Sequence, residues 1–199
     1  SYSGTRLIGQ DVIKDQRNFD YGVKFNSYYD QLDNYYFPKN GEYLNAYAYY
    51  SLGGSEELEN YARYGFVFKK AMPLETGSLL LTLKAQDAIG ESQPVSDIKW
   101  LGGFLNLSSY RYQQILGNEF VYGSAQYLLP IRFLSGSYLG SALEVGRVFD
   151  TFDPELAKDW HYSATMYLAY DSYLGPIYLG AAYGDNKQAR YYLMLGKQF

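Results

Sequence analysis

The chain has 199 residues, 17 basic and 21 acidic, for a net charge of −4, so no basic face is available to neutralise phosphates and a nucleic-acid partner is excluded. With no Cys it has neither structural disulfides nor thiolate metal sites, and no stretch approaches the roughly 20 apolar residues of a membrane helix. The aromatic load of 25 Tyr, 11 Phe and 2 Trp, beside 20 Gly, suits a wet protein interface or the border between hydrocarbon and headgroups, where membrane barrels carry aromatic girdles.

In chain order, residues 5–13 make a tenth strand only in part, because Thr5, Arg6, Leu7, Ile8, Gly9 and Gln10 alternate poorly. Residues 19–29, 43–52, 60–71, 77–87, 119–129 and 137–148 follow a period of two. In the third of these Ala62, Tyr64, Phe66 and Phe68 oppose Arg63 and Lys69; in the fourth Leu79, Leu81 and Leu83 oppose Thr82, Lys84 and Gln86. Next, Tyr162, Ala164, Met166, Leu168 and Tyr170 oppose Ser163, Thr165, Tyr167 and Asp171, and Ile177, Leu179, Ala181 and Tyr183 oppose Tyr178, Gly180, Ala182 and Gly184. The last run sets Ala189, Tyr191, Leu193, Leu195, Lys197 and Phe199 against Gln188, Arg190, Tyr192, Met194, Gly196 and Gln198. This is the apolar-out, polar-in alternation of strands between lipid and a wet lumen, in runs close to the 9–11 residues a tilted membrane strand needs.

Proline cannot donate to a ladder, and all six prolines fall between these runs. Pro38, Pro73, Pro130 and Pro176 lie in short connections, and Pro94 and Pro154 in longer ones, alternating along the chain. Short periplasmic turns and long outer loops are the asymmetry of outer-membrane barrels. A soluble sandwich or lipocalin-like barrel also alternates, but it fills its interior with apolar side chains. Here the second face is mostly Gly, Ser, Tyr, Gln, Lys and Arg. The expected fold is all-β, an antiparallel transmembrane β-barrel of about ten strands forming a single domain over 1–199. The opening at Ser1 rather than Met reads as a processed chain or a cloned fragment.

Several segments go beyond general barrel grammar. Asp30, Asp33, Phe37, Pro38 and Gly41 mark a strand end running into a Phe-Pro-x-x-Gly turn. A long connection from about 89 to 118 contains Leu101-Gly102-Gly103-Phe104 and ends in Leu116-Gly117-Asn118-Glu119, ahead of a strand closing in Ala125-Gln126-Tyr127-Leu128-Leu129-Pro130. With Leu143-Glu144-Val145-Gly146-Arg147-Val148-Phe149, Leu174-Gly175-Pro176 and the terminal Phe199, residues 19 to 199 resemble the C-terminal barrel of the BamA-like superfamily. That superfamily holds outer-membrane assembly factors, two-partner secretion transporters and the barrels of patatin-like autotransporters. The resemblance implies a Gram-negative outer-membrane location and the last ten strands of a sixteen-stranded barrel. An open sheet would leave two unpaired edges in lipid at great cost; a self-paired ten-stranded barrel, a homodimeric barrel and upstream strands are the three ways to close it.

In the superfamily the long loop folds into the lumen, and an Arg at its tip meets an acidic residue on the inner wall. Here Gly102 stands at the Arg position, while Glu144, with Gly146 two residues on, keeps the acidic wall motif. A buried carboxylate needs a cation, so the anchoring pair is either lost or supplied from elsewhere, with Arg111, Arg63 and Arg190 as candidates; the alternative is a solvated lumen residue. A loop of this length is itself suggestive of function. Gly102-Gly103 permits a tight tip, and Phe104 offers an apolar anchor.

His161, the only histidine, has Asp159 and Ser163 nearby in sequence, but no Gly-x-Ser-x-Gly elbow occurs, so no enzyme activity is expected of this chain. A patatin-like lipase domain, if the parent has one, would lie upstream. Asp150, Asp153, Glu155 and Asp159 read as a solvated acidic loop, and neither metal nor cofactor is expected. Tyr191, Leu193, Leu195 and Phe199 resemble the C-terminal signal read by the barrel-assembly machinery. The expected partners are outer-membrane lipid, that machinery, a passenger or client polypeptide, and in one closure a second copy. The function implied is insertion or translocation of polypeptide, or anchoring of a passenger; the alternative is a passive channel or a plain anchor.

Overall fold

In the computed structural model the described residues are 20–54, 61–90, 99–151 and 160–196. They form ten strands: β1 (Asp20–Asp30), β2 (Gly41–Gly54), β3 (Ala62–Pro73), β4 (Ser78–Ile89), β5 (Lys99–Leu101), β6 (Ile115–Pro130), β7 (Ser137–Thr151), β8 (His161–Ser172), β9 (Gly175–Gly184) and β10 (Arg190–Leu195). Nine run as one antiparallel sheet in the order β1-β2-β3-β4-β6-β7-β8-β9-β10, and β5 pairs with the start of β6. The all-β, antiparallel architecture expected from alternation is the one observed. Residues 5–13 and Phe199 lie outside the described residues.

Most boundaries fall within two residues of expectation, and two larger shifts meet at Gly117. β6 begins at Ile115 rather than near Glu119, because Lys99, Trp100 and Leu101 return to pair with Gly117, Leu116 and Ile115. That pairing extends β6 past the end of β4, whose ladder with β6 runs only as far as Gln86 opposite Phe120. β7 likewise continues to Thr151, where it faces Gly117.

Alternation sorts the side chains onto two chemically distinct faces. In β8, His161, Ser163, Thr165, Tyr167 and Ala169 are buried, while Tyr162, Met166, Leu168 and Tyr170 are exposed. The pleat makes this strict, because successive side chains point to opposite sides. On the outer face the register aligns Leu129, Leu139, Leu168, Leu179 and Leu193 in one row across β6 to β10. Leu168, Leu179 and Leu193 are 50%, 58% and 72% exposed. A patch of this size is at home in lipid rather than water.

The ten-residue turn from 31 to 40 folds under the sheet. Asp33 Oδ1 accepts the Lys39 and Asn40 N–H groups at 2.8 and 3.1 Å, and Asn34 Oδ1 accepts those of Tyr36 and Phe37. Asp30 Oδ1 accepts Leu32 N–H at 3.0 Å. Gly41 sits at φ +110, where a Cβ would strike the Gln31 carbonyl. Ser78 donates to the carbonyl of Pro38 at 3.1 Å. The turn thereby holds Phe37, 1% exposed, stacked on Tyr138 at 4.6 Å between ring centres.

The outer face makes a direct prediction. Leu168→Arg puts a charge in the centre of the leucine row and should cost about 2–4 kcal/mol in lipid. The temperature at which the folded form is lost on electrophoresis should fall clearly. An unchanged temperature would mean that this face does not meet hydrocarbon.

Candidate functional site

The loop between β5 and β6, residues 102–114, lies on the inner face of β4 and β6–β10. Its entry depends on Gly102, at φ +114, where a Cβ would collide with the carbonyl oxygen of Arg111. No L side chain, and so no arginine, fits this backbone. Gly102 N–H donates to the Asn106 carbonyl at 2.7 Å and Gly103 N–H to that of Tyr110 at 3.1 Å, closing the loop on itself.

Phe104 then drops into an aromatic nest, with ring centres 5.4 Å from both Tyr167 and Tyr178 and 5.2 Å from Tyr192. Gly180 makes the room: a Cβ there would lie 3.2 Å from the Phe104 ring and 2.8 Å from Tyr167. Phe37, from the short-turn side, reaches the other side of Tyr178 at 5.8 Å. Loop and turn therefore meet inside the sheet through one tyrosine, in a cluster that includes Leu128 and Ala169.

Glu144, 3% exposed on β7, holds the loop. Its Oε1 accepts Leu107 N–H and its Oε2 accepts Ser108 N–H, both at 3.1 Å. Thr165 Oγ1 donates to Oε2 at 3.1 Å, and the Tyr122 hydroxyl lies 3.0 Å from Oε1 and 2.9 Å from the Leu105 carbonyl. Leu107 N–H, Ser108 N–H and Thr165 donate to the carboxyl group, while the single Tyr122 hydroxyl hydrogen is shared between it and the Leu105 carbonyl. Leu107, with φ +68, turns two successive N–H groups toward the same anion, the geometry of a backbone nest. The leucine side chain is fully buried against Leu101, Tyr110, Ile115, Tyr122 and Val148, and this packing holds the left-handed backbone in place.

The arginine anchor is lost, one of the two outcomes that Gly102 left open. None of the three cations bonds to Glu144. Arg190 Nε donates instead to the Ser109 carbonyl at 2.7 Å, and the Arg63 guanidinium lies over the Tyr49 ring at 4.9 Å. Arg111 is exposed, and its backbone N–H donates to Gln114 Oε1. Lys84 stands over the ring of Tyr122, a partner of the acid, at 4.8 Å and donates to Asn106 Oδ1 at 3.0 Å. The tip that meets the acid is Leu107-Ser108, not Gly102 to Phe104. Gly146 lies beneath it, 3.0–3.2 Å from the Leu101 and Leu107 side chains when given a Cβ.

A second set of anchors holds residues 108–110. Ser109 meets Ser163 through its N–H at 3.0 Å and its hydroxyl at 2.7 Å. Tyr192 donates to the Ser108 carbonyl at 2.5 Å, and Asn186 to that of Ser109 at 2.6 Å. Tyr110 donates to Asp185 Oδ2 at 2.7 Å, and His161 Nδ1 lies 2.9 Å from the same oxygen and 2.8 Å from the Tyr110 hydroxyl. With the carboxylate accepting, Nδ1 carries the hydrogen. His161 therefore pairs with Asp185 from the β9–β10 connection, and Ser163 with the loop. Burial, then the Asp185 contact, pushes the Tyr110 phenol well above its usual range, so it remains a donor. Burial opposes ionisation of Asp185, but bonds from His161, Tyr110 and Tyr162 N–H outweigh it and hold the carboxyl below the usual range.

Alternation had placed Glu144, Ser163, Thr165, Arg190 and Tyr192 on the inner face. It gave no sign of Leu107, Ser108, Tyr110 or Asp185, whose roles depend on how the loop folds.

A family model described as the Omp85 superfamily domain matches residues 3–199. Among solved structures the chain is similar to BamA from Haemophilus ducreyi lacking POTRA domains 1–3, with a TM-score of 0.69 and 19% sequence identity. The likeness covers 86% of this chain and 40% of that one, so the chain spans about two fifths of that structure's length. A search of curated protein sequences finds no match.

Two outcomes are expected. Glu144→Gln turns an amide N–H₂ toward donors that need an acceptor and should cost about 3 kcal/mol of loop docking, from hydrogen bonds to a charged group. Trypsin should then cut after Arg111 at least ~10-fold faster, the factor equivalent to about 1.4 kcal/mol; an unchanged rate would remove Glu144 as the anchor. Because the folded Asp185 carboxyl is held below its unfolded value, its contribution is present above the ordinary Asp range near pH 4 and is lost as pH falls through the lower folded value. Amide-exchange protection at Ser109 should accordingly persist to about pH 4 and drop below it, and Asp185→Asn should remove that drop.

Proposed function

The chain belongs to the Omp85 superfamily, and on that premise we propose that its barrel inserts or translocates polypeptide at the membrane, or anchors an upstream passenger there, with residues 102–114 as the gate. Its location is the Gram-negative outer membrane. The observation that carries the proposal is the coupling of the loop to the last strand. Among the described residues β10 pairs with β9 through six residues, from Arg190 opposite Ala182 to Leu195 opposite Ile177, and Gly196 N–H donates to the Pro176 carbonyl beyond them. Two of those six, Arg190 and Tyr192, also hold the loop's carbonyls. Lifting the loop strips these bonds from β10 and loosens the strand, so one movement both clears the lumen and frees an edge for strand addition.

The barrel's work in this scheme is to bind, orient and release chain segments, with no covalent step. A possible lipase passenger and its chemistry would lie upstream. The alternative is a passive channel, in keeping with the inner face of β1–β3, which, among the described residues, the loop's hydrogen bonds do not reach.

Proteoliposomes containing the intact protein distinguish the two. A gated machine should accelerate membrane assembly or export of an added client, and deletion of residues 103–112 should raise conductance while abolishing that acceleration. High steady conductance that the deletion leaves unchanged, with no effect on clients, would favour the passive channel and overturn the gate.

A further inference from the structure

The loop's hydrogen bonds and ring contacts land on β4 and β6–β10. The inner face of β1–β3 continues beyond them, and its charge is one-sided. Cross-strand register sets Lys24, Tyr49 and Arg63 in one row; Tyr28, Asn45, Val67 and Lys84 in another; and Asp30, Tyr43, Lys69 and Thr82 in a third. Among the described side chains, the inner positions of β1–β4 carry four cations and one carboxylate. That carboxylate is Asp30, at the strand end, where it caps the 31–40 turn.

The cations form a ladder along the strands. From Lys69 to the Lys84 row is two residues, or roughly 7 Å, and from there to the Arg63 and Lys24 row is four more, roughly 13 Å. Along strands tilted about 35–45°, those 20 Å rise through about 15 Å of a hydrophobic band about 25 Å tall. Three of the cations rest on tyrosine faces that hold them in place: Arg63 on Tyr49 at 4.9 Å, Lys69 on Tyr43 at 5.8 Å and Lys84 on Tyr122 at 4.8 Å. A surface of one charge sign with low-dielectric walls concentrates the opposite ion.

We propose that the inner face of β1–β4 is an anion path whose partner is the acidic stretches of an extended polypeptide, an inference that rests on the insertion or translocation function proposed above. The spacing favours a polypeptide over small anions. An extended chain presents same-side residues every two positions, about 7 Å apart, and the cation rows are separated by one and by two such steps. Carboxylates at alternate positions of a passing chain would meet successive rows. The tyrosines and asparagines between them supply contacts that do not depend on sequence.

The test uses the intact protein in planar bilayers with a tenfold KCl gradient and poly-glutamate or poly-lysine as probes. Chloride should permeate over potassium by roughly tenfold, the low end of the enrichment a one-signed cleft provides. Poly-glutamate added on the periplasmic side should block the current at concentrations at least about tenfold below those of poly-lysine. Lys24→Glu with Lys69→Glu should abolish or reverse both preferences; should that pair fail to fold, as judged by electrophoretic mobility before and after heating, Lys24→Gln with Lys69→Gln should reduce both. Cation preference in the natural chain, or variants with unaltered selectivity, would overturn the anion path. Chloride preference with equal block by the two polymers would overturn the polypeptide partner. Failure of the client assay with the anion preference intact would instead count against translocation.

Discussion

One buried carboxylate organises the inside of this sheet. Glu144 has no cation bonded to it, yet its oxygens accept from two loop N–H groups and from Thr165 of β8, and the Tyr122 hydroxyl of β6 is shared between it and the Leu105 carbonyl. Taking a carboxylate out of water costs several kcal/mol, and hydrogen bonds to a charged acceptor return about 1.5–3 kcal/mol each. Remove the loop and its two N–H donors go with it. The anchor therefore works in both directions: the acid fixes the loop, and the loop makes the acid tolerable on an otherwise water-poor stretch of wall.

From that contact the rest of the interior follows. With Leu107 and Ser108 fixed on Glu144, Phe104 falls among Tyr167, Tyr178 and Tyr192, and Tyr178 also meets Phe37 from the short-turn side. Residues 108–110 are carried to β10 and to the Asp185 connection. A perturbation at Glu144 thus has direct physical routes to the last strand and to the opposite mouth. Interdigitated aromatic packing of this kind shifts between discrete arrangements rather than deforming smoothly.

Much of the fold was legible because membrane strands obey a rule of two. Each inward or outward assignment in β8 and β10 follows from parity alone, and the prolines marked the connections. The site was only half legible, for a physical reason. Side chains on strands inherit their direction from parity, so Glu144, Thr165 and Tyr192 could be placed. Backbone N–H groups are the same in every residue but proline, so a nest at Leu107 and Ser108 leaves no mark in the sequence. Nor does the left-handed Leu107, a residue type that rarely adopts such a conformation. Gly102 was visible as an absent arginine, but that it excludes any side chain emerged only once Arg111 was seen to lie against it. Asp185 supports His161 from 24 residues away, a pairing no local motif announces.

The central claim is that residues 102–114 rest inside the barrel against β7 and β8. The Ser109 and Ser163 hydroxyls lie 2.7 Å apart, and the chain contains no cysteine of its own. Ser109→Cys combined with Ser163→Cys, oxidised in intact cells and read by the mobility of the cross-linked chain, interrogates that contact without background. The loop-docked structure predicts rapid and nearly complete disulfide formation in the resting protein; two thiols that stay reduced in a folded barrel would contradict it.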